Sequence, residues 1–263
     1  MNSYKICNLY SGSGGNCTLI SAREKNILID AGKSAKSLCR ALASIGMTPK
    51  DIDAIFVTHE HRDHIVALRT MSHKFHIPIH ILLSSAEKFR GLRDEQLCEC
   101  LCIHQGPTFS VELGDIKIGS FPTPHDSRGS VGYRISFCDG EKEISLAYAT
   151  DIGVVTNTIR ENLFGCESII IESNHDVNML LLGPYPPELK MRIRSEYGHL
   201  SHCECAELLS YLCKNGTKNV LLAHLSEENN TPELALGEAR RAIADESVRL
   251  LVASPDLPTW LVE

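Results

Sequence analysis

The segment Thr58-His59-Glu60-His61-Arg62-Asp63-His64 comes directly after the apolar run Ala54-Ile55-Phe56-Val57. A four-residue β-branched and aromatic run that ends abruptly in polar residues suits a buried strand. The polar residues after that run decide the fold. Three imidazoles and the Asp63 carboxylate are crowded into one short loop, and such nitrogen and oxygen donors hold divalent transition metals. A tight turn leaving the strand aims His59 and His61 at one point, and Asp63 and His64 at another. Scattered surface histidines would not need this spacing.

Three distant residues complete a possible donor set. His125 lies in Pro122-Thr123-Pro124-His125-Asp126, Asp151 in Ala149-Thr150-Asp151, and His224 in Leu222-Ala223-His224. Each comes after a candidate strand, where edge loops converge on one pocket. Taken singly, each is more simply a cap or a hydrogen-bonded core residue. With the HxHxDH loop they supply two clusters of ligands and one carboxylate free to bridge them.

Further short runs read as strands: Cys17–Ile20, Asn26–Ile29, Ile116–Ile118, Val131–Ile135, Ile144–Ala147, Ser168–Ile171 and Asn219–Leu222. Helical patterns cover Ser34–Ile45, the segment that starts with the capping box Ser201-His202-Cys203-Glu204, and Thr231–Ile243 with Pro232 in its first turn. The mixture lacks the strict alternation of a doubly wound fold and suits two face-to-face sheets with helices outside, an α+β class. No sequence repeat, low-complexity tract or linker divides the chain, so residues 1–263 are expected to form a single domain.

Asp30 after Ile27-Leu28-Ile29, the HxHxDH loop, His125, Asp151 and His224 resemble, in order and spacing, the motifs of the metallo-β-lactamase superfamily. The resemblance spans nearly the whole chain and implies an αββα four-layer sandwich. It implies one metal site at His59, His61 and His125, a second at Asp63, His64 and His224, and Asp151 bridging them. Asp30 would stand behind the ligands and orient them through hydrogen bonds. Two divalent ions are expected, Zn²⁺ or Mn²⁺, with Fe²⁺ also compatible. Ala67 stands where many relatives have glycine, a departure that touches packing rather than metal binding.

Ile169-Ile170-Ile171-Glu172-Ser173-Asn174, Tyr197-Gly198-His199-Leu200-Ser201 and Ala223-His224-Leu225-Ser226-Glu227 resemble motifs of the β-CASP nucleases, although the interval from Glu172 to His199 is too short for the β-CASP insertion. Together with Ser11-Gly12-Ser13-Gly14-Gly15-Asn16-Cys17 and Gly183-Pro184-Tyr185-Pro186, they look most like the bacterial WalJ (YycJ) group of 5′-to-3′ exonucleases. That likeness implies a phosphodiesterase acting on DNA, more than RNA, with a hydroxide activated by two metals. His199 would then protonate the leaving 3′ oxygen, positioned by Glu172. Ser201 reads mainly as a helix cap whose helix end could also meet a phosphate. His175, Arg128 and Arg62 are candidates for substrate contact. Lys190, Arg192 and Arg194 alternate as a solvated charged face or a track for a nucleic-acid backbone.

Composition narrows the class. The net charge of −7 argues against a globally basic nucleic-acid binder, but not against a nuclease whose cations meet the phosphates. No apolar stretch is long enough to cross a membrane. The start, Met1-Asn2-Ser3-Tyr4-Lys5-Ile6-Cys7, lacks the pattern of an export signal, so a cytoplasmic location is expected. Eleven cysteines without a CxxC pair read as reduced, mostly buried thiols. Cys98, Cys100 and Cys102 would share one face if they lay on a strand. Two rival functions remain at this point: a small-molecule hydrolase for a thioester or lactone, and a nucleic-acid-binding module without catalysis. The complete ligand set speaks against the second.

Overall fold

In the strand Lys25–Ile29, Ile27 and Ile29 face one hydrophobic cluster while Leu28 faces another, and all three are buried. Successive side chains of a strand point to opposite faces, so a strand covered on both sides reads as a continuous apolar run. The computed structural model, which describes residues 3–89 and 94–263, obeys this rule through most of its sheet structure. Met1 and Asn2, which begin the N-terminal stretch, lie outside the described residues.

The first sheet contains β1 (Tyr4–Tyr10), β2 (Cys17–Ala22), β3 (Lys25–Ile29), β4 (Ala54–Phe56), β5 (Ile79–Leu82) and β6 (Leu101–His104). The second contains β7 (Ser110–Leu113), β8 (Ile116–Pro122), β9 (Val131–Asp139), β10 (Lys142–Ala149), β11 (Ser168–Glu172), β12 (Asn219–Ala223) and β13 (Arg249–Val252). A last strand, β14 (Thr259–Val262), returns to the first sheet and pairs with β1. The strand orders are β14-β1-β2-β3-β4-β5-β6 and β13-β12-β11-β10-β9-β8-β7. In each sheet one half is antiparallel and the other parallel, with the change at β3 and at β10. The topology thus repeats where the sequence does not.

Three apolar clusters divide the layers. Ile27, Ile29, Phe56, Tyr133, Leu146 and Tyr148 belong to the core between the sheets. Leu28 and Ile55 pack against α1 (Ala35–Ser44) and α3 (Leu68–Phe75), through Leu38, Leu42, Leu68 and Met71. On the other side, Ile169 and Ile171 meet Leu208 and Leu209 of α9 (His202–Lys214) and Ala235 of α10 (Pro232–Ala242). Each fully buried aliphatic side chain contributes roughly 1.5–3 kcal/mol. The result is the αββα sandwich that the sequence pattern implies.

The three expected helices form within a residue or two of their limits. Ser34, Ser201 and Thr231 cap them by accepting from Ser37 N, Glu204 N and Leu234 N. Between α1 and α9 lie α2 (Arg62–Ile65), α4 (Leu83–Ala86), α5 (Glu95–Cys100), α6 (Asn157–Leu163), α7 (Val177–Leu182) and α8 (Pro187–Ile193). Two alternations in the sequence do not become shared strand faces. Cys98 and Cys100 sit on α5 while Cys102 sits on β6, so the three do not share one face. Cys7, Cys17, Cys100, Cys166 and Cys205 are buried, whereas Cys98, Cys138 and Cys203 are exposed. Lys190 and Arg192 lie on α8 with Arg194 as its C-cap, and on a helix residues two apart diverge. Lys190 instead donates to the Leu181 and Gly183 carbonyls, both at 2.8 Å, and Arg192 pairs with Asp126.

A titratable stack closes one edge of the inter-sheet core. His80 on β5 lies over Phe56 with ring centroids 4.5 Å apart, and its Nδ1 is 3.1 Å from His104 Nε2. Burial, helped by the neighbouring His104, pushes the His80 pKa down to about 4. An unfolded histidine titrates near 6.5, so this stabilisation is present above that value and is lost as pH falls towards about 4. His80→Phe keeps a stacked ring without a titrating group. Between pH 7 and pH 4, urea unfolding should show wild type losing on the order of 2 kcal/mol more than the variant. Parallel losses would show that His80 does not carry this term.

Candidate metal centre

The site begins at two strand ends where the chain turns sharply. Asp30 after β3 and Asp151 after β10 take left-handed backbone angles, with φ of 63° and 57°. Asp tolerates this conformation better than most residues because its short polar side chain bonds locally. His224, after β12, also has positive φ, at 54°. Among the described residues, three of the six non-glycine residues in this region of backbone space are therefore expected site residues. Such angles cost of order 1–3 kcal/mol each and persist where surrounding contacts fix them.

Asp30 is buried and orients the HxHxDH loop. Its carboxylate accepts from Thr58 N at 2.8 Å, from Thr58 Oγ1 at 2.9 Å and from His64 Nδ1 at 2.7 Å. Burial disfavours a charge on His64, but Asp30 and Asp151 outweigh it and raise its pKa to about 10. Three donors around Asp30 leave the shared proton on His64 Nδ1, so Nε2 is the nitrogen that faces the cluster, where a bound cation would displace its proton.

Glu172, at the end of β11, plays the matching part on the second sheet. Oε1 accepts from His199 Nδ1 at 2.7 Å and from His224 Nδ1 at 3.0 Å, while Oε2 accepts from Ile152 N at 2.8 Å and Leu200 N at 3.2 Å. Burial would raise this carboxyl, yet His199 and His224 bring it down to about 2. His199 is raised in turn, because Glu172 beside it outweighs burial.

Between these carboxylates the donors converge. His59, His61 and His125 bring ligand atoms within 4.8 Å of one another, as do Asp63, His64 and His224, and also His59, His64 and Asp151. His59 and His125 fix their rings through Nδ1, which lies 3.0 Å from Thr58 Oγ1 and 3.2 Å from the Gly198 carbonyl. Their Nε2 atoms are left for the cluster. The buried His59 Nε2, His224 Nε2 and Asp151 Oδ2 have no hydrogen-bond partner among the described residues. Polar atoms left like this are costly unless something binds them. Asp151, Asp63 and Glu172 raise the pKa of His224 in spite of its burial. A field that attracts a proton attracts a metal cation, which competes for the same lone pair. Nitrogen and carboxylate donors without thiolate fit Zn²⁺, Mn²⁺ or Fe²⁺. Asp151, Glu172, His199 and His224 also come within 4.8 Å, but Glu172 already takes four N–H donors and holds rings rather than an ion.

Several neighbours escape a reading of the sequence. Asn16 Nδ2 lies 3.1 Å from His64 Nε2 and 3.3 Å from Asp63 Oδ2, and its backbone N donates to the Asp63 carbonyl at 2.8 Å. A Cβ on Gly32 would fall 1.5 Å from that same carbonyl oxygen, so only glycine lets the two loops close. Glu60 accepts from Ser85 Oγ and from Arg128 N, both at 2.9 Å, and so ties the His59–His61 loop to the loop carrying His125. Ser11 Oγ accepts from His224 N at 2.8 Å. The Ser11–Cys17 motif offers the one available signal for Asn16 and Ser11. Glu60 offers none beyond its place between two histidines.

The expected substrate residues behave differently from one another. Arg62 is exposed beside Asp63, and no ion pair engages it among the described residues. Arg128 is directed to Glu87 at 3.6 Å. Ser201 gives both its N–H and its hydroxyl to Glu204, at 3.0 and 2.5 Å, and serves as the helix cap. His175 is buried, not on the surface, with its Nδ1 unpartnered among the described residues and burial pushing its pKa down to about 4. It lines a hollow with Arg194, His199 and Ser201.

Residues 25–225 match the family model described as a β-lactamase superfamily domain. The chain is 34% identical to exodeoxyribonuclease WalJ of Streptococcus pneumoniae serotype 2 (strain D39), over 99% of this chain and 98% of that protein. It is 31% identical to exodeoxyribonuclease YycJ of Bacillus anthracis, over 95% and 96%. In structure it resembles Zn²⁺-bound PqqB from Methylobacterium extorquens, with a TM-score of 0.72 at 13% identity, covering 97% of this chain and 99% of that one. Sequence likeness over nearly the full length, joined to the two-sheet architecture and its strand-end cluster, establishes that the chain belongs to the metallo-β-lactamase superfamily, in the group of WalJ and YycJ.

Proposed function

We propose that this chain is a cytoplasmic, metal-dependent phosphodiesterase that removes nucleotides from the 5′ end of single-stranded DNA. The observation that carries the reading is the Glu172 carboxylate, which joins His199 to His224 at the edge of the donor cluster. An imidazole so held beside a metal-binding cluster has a natural task in transferring a proton, and little purpose in a simple binding module. The near full-length likeness to two exodeoxyribonucleases supports DNA as the polymer.

His59, His61 and His125 would hold one divalent cation and Asp63, His64 and His224 a second, with Asp151 facing both. Bound there, Zn²⁺ or Mn²⁺, with Fe²⁺ compatible, would activate water near neutral pH and neutralise charge on the phosphoryl oxygens. Asp30 and Glu172 hold the rings of His64 and His224 in the tautomer that leaves Nε2 free. His199 gives Nδ1–H to Glu172 and delivers the Nε2 proton to the departing 3′ oxygen. Arg62 and His175 are the nearer candidates for contact with phosphates. Arg128 would first have to leave Glu87, and Ser201 contributes by fixing the start of α9 behind His199. The whole of residues 1–263 acts as one domain in this reading.

The primary test is degradation of end-labelled single-stranded DNA and RNA by protein loaded with Mn²⁺ or Zn²⁺. Stepwise loss of DNA from the 5′ end, absent in a His61→Ala, Asp63→Ala double variant, is the expected result. No cleavage of either polymer with metal bound, together with turnover of a thioester or lactone, would replace this reading with that of a small-molecule hydrolase. A second test separates the two duties of Glu172. His199→Ala should lower kcat about 10²- to 10⁴-fold with metal content unchanged. Glu172→Gln should also weaken metal binding by roughly 10- to 100-fold, because the neutral amide has one accepting oxygen for four N–H donors and no charge to hold the His224 ring. Wild-type turnover in metal-loaded His199→Ala would remove the proton-transfer role.

A further inference from the structure

We propose that the hollow beside His199 and His224 receives the base of the terminal nucleotide as it is released. The inference rests on the phosphodiesterase reading and adds the substrate's orientation. The cavity measures about 190 Å³ and is walled by Tyr185, Leu189, Ile193 and Leu225, with Asn174 and Ser226 as polar neighbours. Pockets for drug-sized ligands span about 300–1,000 Å³, so this one suits a single heterocycle.

Its chemistry suits a base of any identity. Aromatic and aliphatic walls grip a π-face, and every base has one. The polar groups are already partly spent: Asn174 Nδ2 donates to the His224 carbonyl at 2.9 Å, Ser226 Oγ accepts from Asn229 N at 3.2 Å, and Arg192 and Asp126, which also line the hollow, pair with each other. Little is left to discriminate among base edges, as degradation without sequence preference requires.

Tyr185 is also held in place. Gly183 closes α7 by donating its N–H to the Met179 carbonyl at 2.7 Å, and a Cβ there would fall 2.6 Å from that same oxygen. Lys190 clamps the Leu181 and Gly183 carbonyls at 2.8 Å, and Pro184, Pro186 and Pro187 stiffen the connector. A preorganised aromatic wall loses little entropy when a base stacks on it. This gives the Gly183–Pro186 motif a task.

The pocket's position sets the direction of the strand. His199 lines it, and His199 serves the departing oxygen. When water's oxygen joins the phosphorus, the bond from phosphorus to the 3′ oxygen breaks and that oxygen takes the proton. The nucleotide that owns the 3′ oxygen is the 5′-terminal one, so its base lies on the His199 side. The remaining strand, with its new 5′-phosphate, runs across Asp63 into the open hollow lined by Lys33, Ser34 and Arg62. A pocket sized for one base on the leaving side releases one nucleotide per cycle.

The test compares two single-stranded DNA oligonucleotides that differ only in whether the 5′-terminal residue carries a base. With Mn²⁺-loaded wild type, removal of the first residue should be about 10- to 100-fold slower in kcat/KM for the abasic end, the range expected for one lost stacking contact. Tyr185→Ala should lose a similar factor on the normal end and little on the abasic end. Tyr185→Phe should behave as wild type, and unchanged thermal unfolding of both variants would show that the fold is kept. Titration calorimetry with 2′-deoxyadenosine 5′-monophosphate should show binding to wild type and Tyr185→Phe, weakened in Tyr185→Ala. Equal cleavage of both ends by wild type, or an equal loss on both ends in Tyr185→Ala, overturns the pocket while leaving the phosphodiesterase reading intact. No cleavage of any polymer, with Tyr185-dependent mononucleotide binding retained, overturns the phosphodiesterase reading and keeps the pocket as a nucleotide site.

Discussion

Two buried carboxylates, Asp30 and Glu172, organise this protein's site. Each stands behind the cluster and accepts several hydrogen bonds, Asp30 orienting the His64 ring and Glu172 those of His199 and His224. Without them the His64 and His224 rings would choose tautomer and rotation freely, and lone pairs would not meet at one place. A buried carboxylate is expensive to desolvate unless it is thoroughly hydrogen-bonded. The backbone amides of Thr58, Ile152 and Leu200 meet that requirement, which ties the site to the strand ends that supply them. Fold and site therefore share the same hydrogen bonds.

The repeated sheet topology puts an aspartate, Asp30 or Asp151, at the matching point of each sheet. Each sheet changes from antiparallel to parallel pairing at one strand, β3 or β10, and each of those strands leads into an aspartate with left-handed backbone angles. Beyond that strand, the parallel strands bring their C-terminal ends to one edge of each sheet. The HxHxDH loop rises from β4, beside β3, and Glu172 and His224 come from β11 and β12, on the parallel side of β10. The donor set spans both halves of the chain because each histidine-rich cluster draws on the loops of both sheets.

How much the sequence discloses depends on how local each signal is. The HxHxDH loop is six residues of dense chemistry after a clear strand, and its partners each end a recognisable apolar run. Strand β1 is not legible, since Lys5 and Asn8 interrupt its apolar pattern and Asn8 becomes acceptable only once its amide donates to Thr18 Oγ1 at 2.9 Å. Glu60 and Asn16 act through contacts with residues far away in the chain, which no local pattern encodes. The alternating cations before His199 look like one face because alternation is a strand rule, and the segment is a helix. Ser201 is legible as a cap because a capping box is complete within four residues.

The return of β14 to β1 has a consequence for how the molecule comes into being on the ribosome. Strands β7 to β13 are consecutive in sequence, so the second sheet can assemble from contiguous chain as it emerges. The first sheet cannot be completed until Thr259–Val262 arrive to pair with Ile6–Asn8. Until then the edge of β1 offers unpaired backbone groups to any passing strand. Ser11, which holds His224 in position, comes directly after that same strand. Synthesis of Thr259–Val262 thus seals the exposed edge and braces the site at one stroke, so a nascent chain carries its donor residues long before it can arrange them.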